Sequence, residues 1–145
     1  MALGPEEVIR RKVLDSGAVR ALVADRVYPQ LAPQGAAVPY ITFFRVTGSP
    51  VRHMRGPATI AEATIQIDVF APTYSQMLTI AEGTRLALDG FRGPISVAGA
   101  TLHISHLSLD NERVQLVGPL SASEDPIHHF IQDFRIAFQQ PTTPN

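Results

Sequence analysis

The stretch Ile65 to Gly90, IQIDVFAPTYSQMLTIAEGTRLALDG, constrains the fold more than any other part of the chain. Ile65, Ile67 and Val69 alternate with Gln66, Asp68 and Phe70. That period of two is the pattern of a strand with one buried face. Pro72 ends the alternation. Thr73 then offers an N-cap oxygen, and Gln76 stands three residues on, the spacing of a capping box. Met77, Ile80, Ala81, Thr84 and Leu88 follow at helical spacing, and Gly90 supplies a C-terminal stop. A strand, a short break and an amphipathic helix in this order require a sheet with a helix packed on it.

The remaining segments extend that frame. Pro5, Glu6 and Glu7 followed by Val8, Ile9, Val13 and Leu14 predict a first helix, since proline and acids suit a helix N-terminus. Ser16-Gly17 bends it, and Val19, Leu22 and Val23 mark a second short turn. Val27-Tyr28-Pro29 reads as a short extended piece, and Gln30 to Val38 as a loop rich in Pro, Gly and Ala. Pro39 to Thr47 and Thr59 to Phe70 read as an antiparallel pair of strands. Gly48 to Pro57, with four Gly or Pro residues, reads most simply as a long hairpin loop with room for extended arms. Ile95 to Val97 and Thr101 to Leu109 read as strands separated at Gly99, with a turn at Asp110-Asn111. Gly118 to Pro126 reads as a second polar loop. Ile127 to Gln139 is the last strand, with Phe130, Phe134, Ile136 and Phe138 on one face and Asp133, Arg135 and Gln139 on the other. The sum is an α+β fold: a mostly antiparallel sheet with two main helices packed on one face. The expected organisation is one domain over residues 1–145, ordered from about Pro5 to Gln139, with a flexible tail over 140–145.

Composition closes off several function classes. With no cysteine, disulfide scaffolds, thiol catalysis and Cys-ligated metal sites are excluded. A net charge of -1 disfavours a strongly basic nucleic-acid binder and an acidic tail protein alike. Charged residues are only 17%, below the roughly 25% of typical globular chains, which suits a surface partly hidden against partners. The N-terminus has early acids and no long apolar run, so no secretory signal is expected. No stretch reaches about 18 apolar residues, so no membrane helix is expected.

The residues that carry chemistry elsewhere do not converge here. His128 and His129 are adjacent in a strand, and His103 and His106 are three apart in one, so strand alternation puts each pair on opposite faces and disfavours a metal site. No serine lies in a G-x-S-x-G elbow. Glu124-Asp125 sits in a loop, where solvation rather than acid–base work is expected. Asp68 and Asp133 lie in predicted strands and suit ladder or surface pairing with arginines. No P-loop is present, and no metal or cofactor is indicated. One cluster stands out: Arg52, His53 and Arg55 in the GSPVRHMRG loop. It reads either as a solvated loop or as a contact loop facing an acidic protein or passing nucleic acid. Of the aromatic residues, consecutive Phe43 and Phe44 point to opposite faces, so one of them is available to a neighbouring subunit or second layer.

Three segments together carry a family resemblance. VYPQLAPQGAAVPYITFFRVTG, TIQIDVFAPTYSQMLTIAEGTRLALDGFRG and IQDFRIAF are similar, in order, to the tail-completion or tail terminator proteins of long-tailed bacteriophages. The likeness runs from about Val8 to Phe138, whereas the loops at Gly48 to Pro57 and Gly118 to Pro126 match no fixed pattern. The resemblance implies a non-enzymatic virion protein without a cofactor. Such a protein would assemble in the host cytoplasm into a ring with itself, as a hexamer, at the head-proximal end of the tail tube. Its partners would be the tail tube protein and the head-connector or stopper protein, with phage DNA passing through. Arg52, His53 and Arg55 would then contact a neighbour or line the passage. Two other readings stay open at this point: another neck component such as a head-closure or adaptor protein, and a small ligand-binding or hydrolytic α+β enzyme.

Overall fold

The computed structural model describes residues 4–53, 56–97, 99–115 and 126–139, with side chains described at all of these except 49–53 and 56–59. The chain runs α1 (Pro5–Asp15), α2 (Gly17–Val23), β1 (Val27–Pro29), β2 (Tyr40–His53), β3 (Gly56–Ala71), α3 (Tyr74–Leu88), β4 (Gly93–Val97), β5 (Ala100–Gln115) and β6 (His128–Gln139). The strands form one sheet in the order β1-β2-β3-β6-β5-β4. Only the β1–β2 pairing is parallel; the other four are antiparallel. The fold is α+β, as the sequence predicts, with three helices.

The helices form where capping and apolar spacing agree. Pro5 opens α1, with Glu6 and Glu7 in its first turn against the positive end of the helix dipole. Ser16 closes α1 and caps α2, its hydroxyl accepting from the Val19 amide at 3.5 Å. In α3, Thr73 Oγ1 accepts from the Gln76 amide at 3.2 Å. The Gln76 side chain does not return the bond: its Oε1 is buried without a partner among the described residues. Gly90, at φ +85°, turns the chain out of α3, and its amide donates to Leu107 O at 2.8 Å.

All three helices lie over one face of the sheet. α3 packs on β3, β6 and β5. α1 touches both β2 and β4, near opposite edges, so the sheet curls around the helical layer. Gly83 lets α3 approach α2, since a Cβ there would sit 2.6 Å from Val19 Cγ2. The core is aliphatic and aromatic: Ile41, Ile65, Ile67, Val69, Phe134 and Ile136 are fully buried in it.

One buried polar group breaks this pattern. Gln132 lies between Phe130 and Phe134 on the helix face of β6 and is 0% exposed. Its Oε1 accepts from the Thr84 hydroxyl, and its Nε2 donates to Ala81 O at 2.9 Å and to Glu112 Oε1 at 3.0 Å. The pair ties α3 to the centre of the sheet with its polar atoms satisfied.

Two expectations need correction. Gly48 to Pro57 is mostly strand, because β2 continues to His53 and β3 starts at Gly56. Register shifts at Arg45/Thr47 and Pro50/Arg52 absorb the misfit. Proline lacks an amide for the ladder and is tolerated at such irregularities on an edge strand. The turn at Asp110-Asn111 is likewise absent. β5 runs through it to Gln115, with a bulge between Leu109 and Asn111, because pairing with β6 continues from Asn111↔Asp133 to Gln115↔His129. The tail over 140–145 and the loop residues 118–125 lie outside the described residues.

Candidate functional site

Among the described residues, the β2–β3 and β4–β5 hairpins both reach past the end of β6. β6 ends at Gln139, opposite Ile60, whereas β2 and β3 stay paired to Arg52↔Pro57 and His53↔Gly56. Of the predicted contact residues, Arg52 and His53 therefore belong to the last backbone pairs of the β2–β3 overhang, and Arg55 lies outside the described residues. β1 pairs with β2 only from Ile41 to Phe43, so most of the outer edge of β2 has no strand beside it among the described residues. At the opposite end of the same strands, Tyr40, Phe70, His129 and Gln115 align in one cross-strand row. There the chain leaves β5 at Gln115 and returns to β6 through Pro126. The two loops singled out in the sequence thus depart from opposite ends of the sheet.

That second end carries a polar and aromatic recess on the face turned away from the helices. The 30–38 loop folds over it and encloses about 300 Å³ with Tyr40, Thr42, Asp68 and Phe70. The Tyr40 and Phe70 rings stack at 4.9 Å between centroids, and Phe70 stacks on His129 at 4.2 Å. Burial, together with the neighbouring Tyr28, raises the Tyr40 phenol above its ordinary range. Asp68 is 9% exposed. Its Oδ1 accepts from Gln66 Nε2 at 2.8 Å, and its Oδ2 stands 3.5 Å from His129 Nε2. His129 Nε2 has no hydrogen-bond partner among the described residues. The expected surface pairing with an arginine holds for Asp133, which accepts from Arg113 at 2.9 Å, but not for Asp68.

Comparison with known proteins decides the family. Residues 7–139 match the family described as "Tail completion protein gp17". The chain belongs to that family. It is thus a structural component of the tail or neck of a phage-type virion. Its fold is shared with a chain of the solved "Virion of native gene transfer agent (GTA) particle", with a TM-score of 0.67 and 16% identity over 90% of this chain and 91% of that one. A search of curated proteins gives no match.

The other candidate residues of this tail completion protein stay apart. His128 and His129 face opposite sides, His128 lying edge-on to Tyr74 and His129 against Phe70. His103 and His106 do not follow the expectation. The bulge between Ile104 and His106 shifts the alternation by one residue, so both point away from the core. No group of three potential metal ligands occurs among the described residues. Phe43 is buried in the core and Phe44 is half-buried on the other face. A groove of about 530 Å³ lies beside Phe44, walled by Leu31 and by the Arg45–Glu6 ion pair. Glu124 and Asp125 fall outside the described residues. No helix among the described residues is long and apolar enough to cross a membrane.

The recess was the feature least visible in the sequence. Its signal was the run Gln66-Asp68-Phe70 set against Tyr40 and His129, which becomes meaningful only once the register and the overlying loop are known.

Proposed function

We propose that this tail completion protein forms a closed ring at the head-proximal end of a tail tube, where it stops tube growth and presents a surface to the head connector. The observation that carries this reading is the arrangement of two unlike ends on one sheet. The β2–β3 and β4–β5 hairpins project at one end, and the chain leaves β5 for the 116–125 connection at the other. A closed ring needs a head-to-tail lateral contact whose rotation closes, and two unlike ends can supply the two sides of such a contact. Family membership over residues 7–139 supports a place in the tail, and the shared fold with a chain of a gene transfer agent virion is consistent with a particle component. The ring works by assembly and capping, without catalysis or cofactor. DNA passes through it, and the near-neutral net charge of -1 suits passage without retention. Arg52, His53 and Arg55 contact a neighbour or line the passage.

Light scattering over a wide concentration range, with and without tail tube protein, tests the reading. The expected result is a species near six times 15.7 kDa, alone or on the tube end, together with tubes of limited length. Tubes that grow without limit in its presence would sink tube termination and favour a neck adaptor. Replacement of Arg52, His53 and Arg55 together by Ala should weaken ring formation or capping. Unchanged assembly and capping would remove those residues from the contact.

A further inference from the structure

Asp68 needs a physical explanation. An ionised carboxylate removed from water is held by charge pairing or by a full set of hydrogen bonds. Asp68 is 9% exposed and, among the described residues, has one amide donor, Gln66 Nε2. The nearby His129 Nε2 stands at 3.5 Å and makes no hydrogen bond among the described residues. Five other acids pair with arginines: Glu6 with Arg45, Asp15 with Arg11, Glu82 with Arg85, Asp110 with Arg135, and Asp133 with Arg113. Among the described residues, Asp68 has no arginine or lysine partner.

The space in front of Asp68 is open and has a definite chemistry. The recess of about 300 Å³ has a carboxylate on one side and the stacked Tyr40 and Phe70 rings on another. A carboxylate beside aromatic rings suits a guanidinium, which can bond the carboxylate and pack against the aromatic group.

The chain also holds a candidate source. Arg52 belongs to the next-to-last pair of β2 with β3, at the far end of the strands that begin at Tyr40 and end at Phe70 and Ala71, and Arg55 falls between these strands in the sequence. At about 3.3 Å per residue, tip and recess are roughly 40 Å apart, so no subunit fills its own recess. A second copy placed head-to-tail along the strand direction brings the two together. Tip into recess is a heterologous contact, the kind that repeats from copy to copy and closes by rotation.

We propose that the recess around Asp68, Tyr40 and Phe70 receives an arginine side chain from the β2–β3 hairpin tip of a second copy of this chain. The second copy rests on the ring reading above, but the recess can be tested apart from it.

The probe is a synthetic peptide of residues 48–57, GSPVRHMRGP, titrated into the full-length chain and followed by NMR. The expected result is shifts at Tyr40, Thr42 and Phe70, at millimolar peptide or below. Affinity should fall about tenfold for Asp68→Asn, or for a peptide with both arginines changed to Gln. Asp68→Asn is nearly isosteric and keeps an acceptor for Gln66, and its circular dichroism melt checks the fold. No binding at millimolar peptide, binding undiminished in Asp68→Asn, or shifts confined to another surface would each overturn the proposal. In the full-length chain, Asp68→Asn and Arg52→Gln with Arg55→Gln should weaken assembly non-additively. Wild-type rings with assembly unchanged in Asp68→Asn would overturn the recess contact and leave the ring standing. Asp68-dependent peptide binding by a chain that stays monomeric beside tail tube protein would overturn the ring and uphold the recess as the acceptor of the tip sequence.

Discussion

The two faces of the sheet are built on different principles. On the helix side, Ile41, Phe43, Ile65, Ile67, Val69 and Phe134 are at most 2% exposed and packed against one another. Apolar side chains enclosed in this way have no remaining demand for a partner. On the other side, Tyr40, Thr42, Asp68, Phe70 and His129 are also largely withdrawn from solvent, but by a loop and by ring stacking. Among the described residues, His129 Nε2 has no hydrogen-bond partner there, and Asp68 has one side-chain donor. One face therefore supplies most of the folding free energy. The other keeps unspent polar capacity, which is what a surface needs if it is to recognise another molecule.

The largest effects should come from the helix side. Phe134→Ala removes a fully buried ring from the centre of the sheet and should cost about 3–5 kcal/mol in urea denaturation. A loss below about 1 kcal/mol would contradict the division between the faces. The polar exception on that side gives a sharper test. Gln132→Leu strands the Thr84 hydroxyl and the Ala81 carbonyl with fewer partners and should cost about 1–3 kcal/mol. Combining it with Thr84→Val removes the polar atoms on both sides of the contact. The double variant should be no less stable than Gln132→Leu alone, because the expensive state is the half-satisfied one. Strictly additive losses would mean that the pair does not act as a unit.

How far these features could be read in advance depended on whether local chemistry or long-range pairing decided them. The alternation from Ile65 to Val69, the cap at Thr73 and the stop at Gly90 are local, and the structure follows them. Gly48 and Pro50 punctuate the sequence as a loop would, yet two long arms pairing with each other override them through bulges. Asp110-Asn111 has turn chemistry, but ten β6 partners hold β5 in line. Gln132 could have been placed by parity alone, since it shares a face with Phe130 and Phe134, but its polarity hid it in a pattern searched for apolar residues. His103 and His106 were set on opposite faces because a bulge leaves no local mark. The Asp68 recess needed three strands in register and a loop from elsewhere in the chain, so no window of sequence contains it.

The outer face should respond weakly in the isolated chain. Arg113 and Asp133 form an ion pair at 2.9 Å, with the arginine side chain 46% exposed. Arg113→Ala should change stability by no more than about 1 kcal/mol, and raised salt should shrink the difference further. A larger loss would mean that this face contributes more to folding than its exposure allows.

The smallest effect is a pH dependence at Tyr40. Burial disfavours the phenolate and the neighbouring Tyr28 adds repulsion, so the folded chain holds this proton above the ordinary tyrosine value of about 10. Below pH 10 the phenol is neutral in the folded and unfolded states alike, and Tyr40 adds no pH dependence. As pH rises past 10, the unfolded chain loses the proton first. The folded state then binds more protons than the unfolded state, and stability must fall with rising pH. Urea midpoints measured from pH 8 to 11 should therefore decline for the wild type, and the decline should be shallower for Tyr40→Phe. The difference between the two chains isolates Tyr40 from the other groups that titrate in the same range. Parallel curves would mean that water reaches the Tyr40 phenol freely, and the contrast between a partly desolvated outer face and an ordinary solvated one would fail at that position.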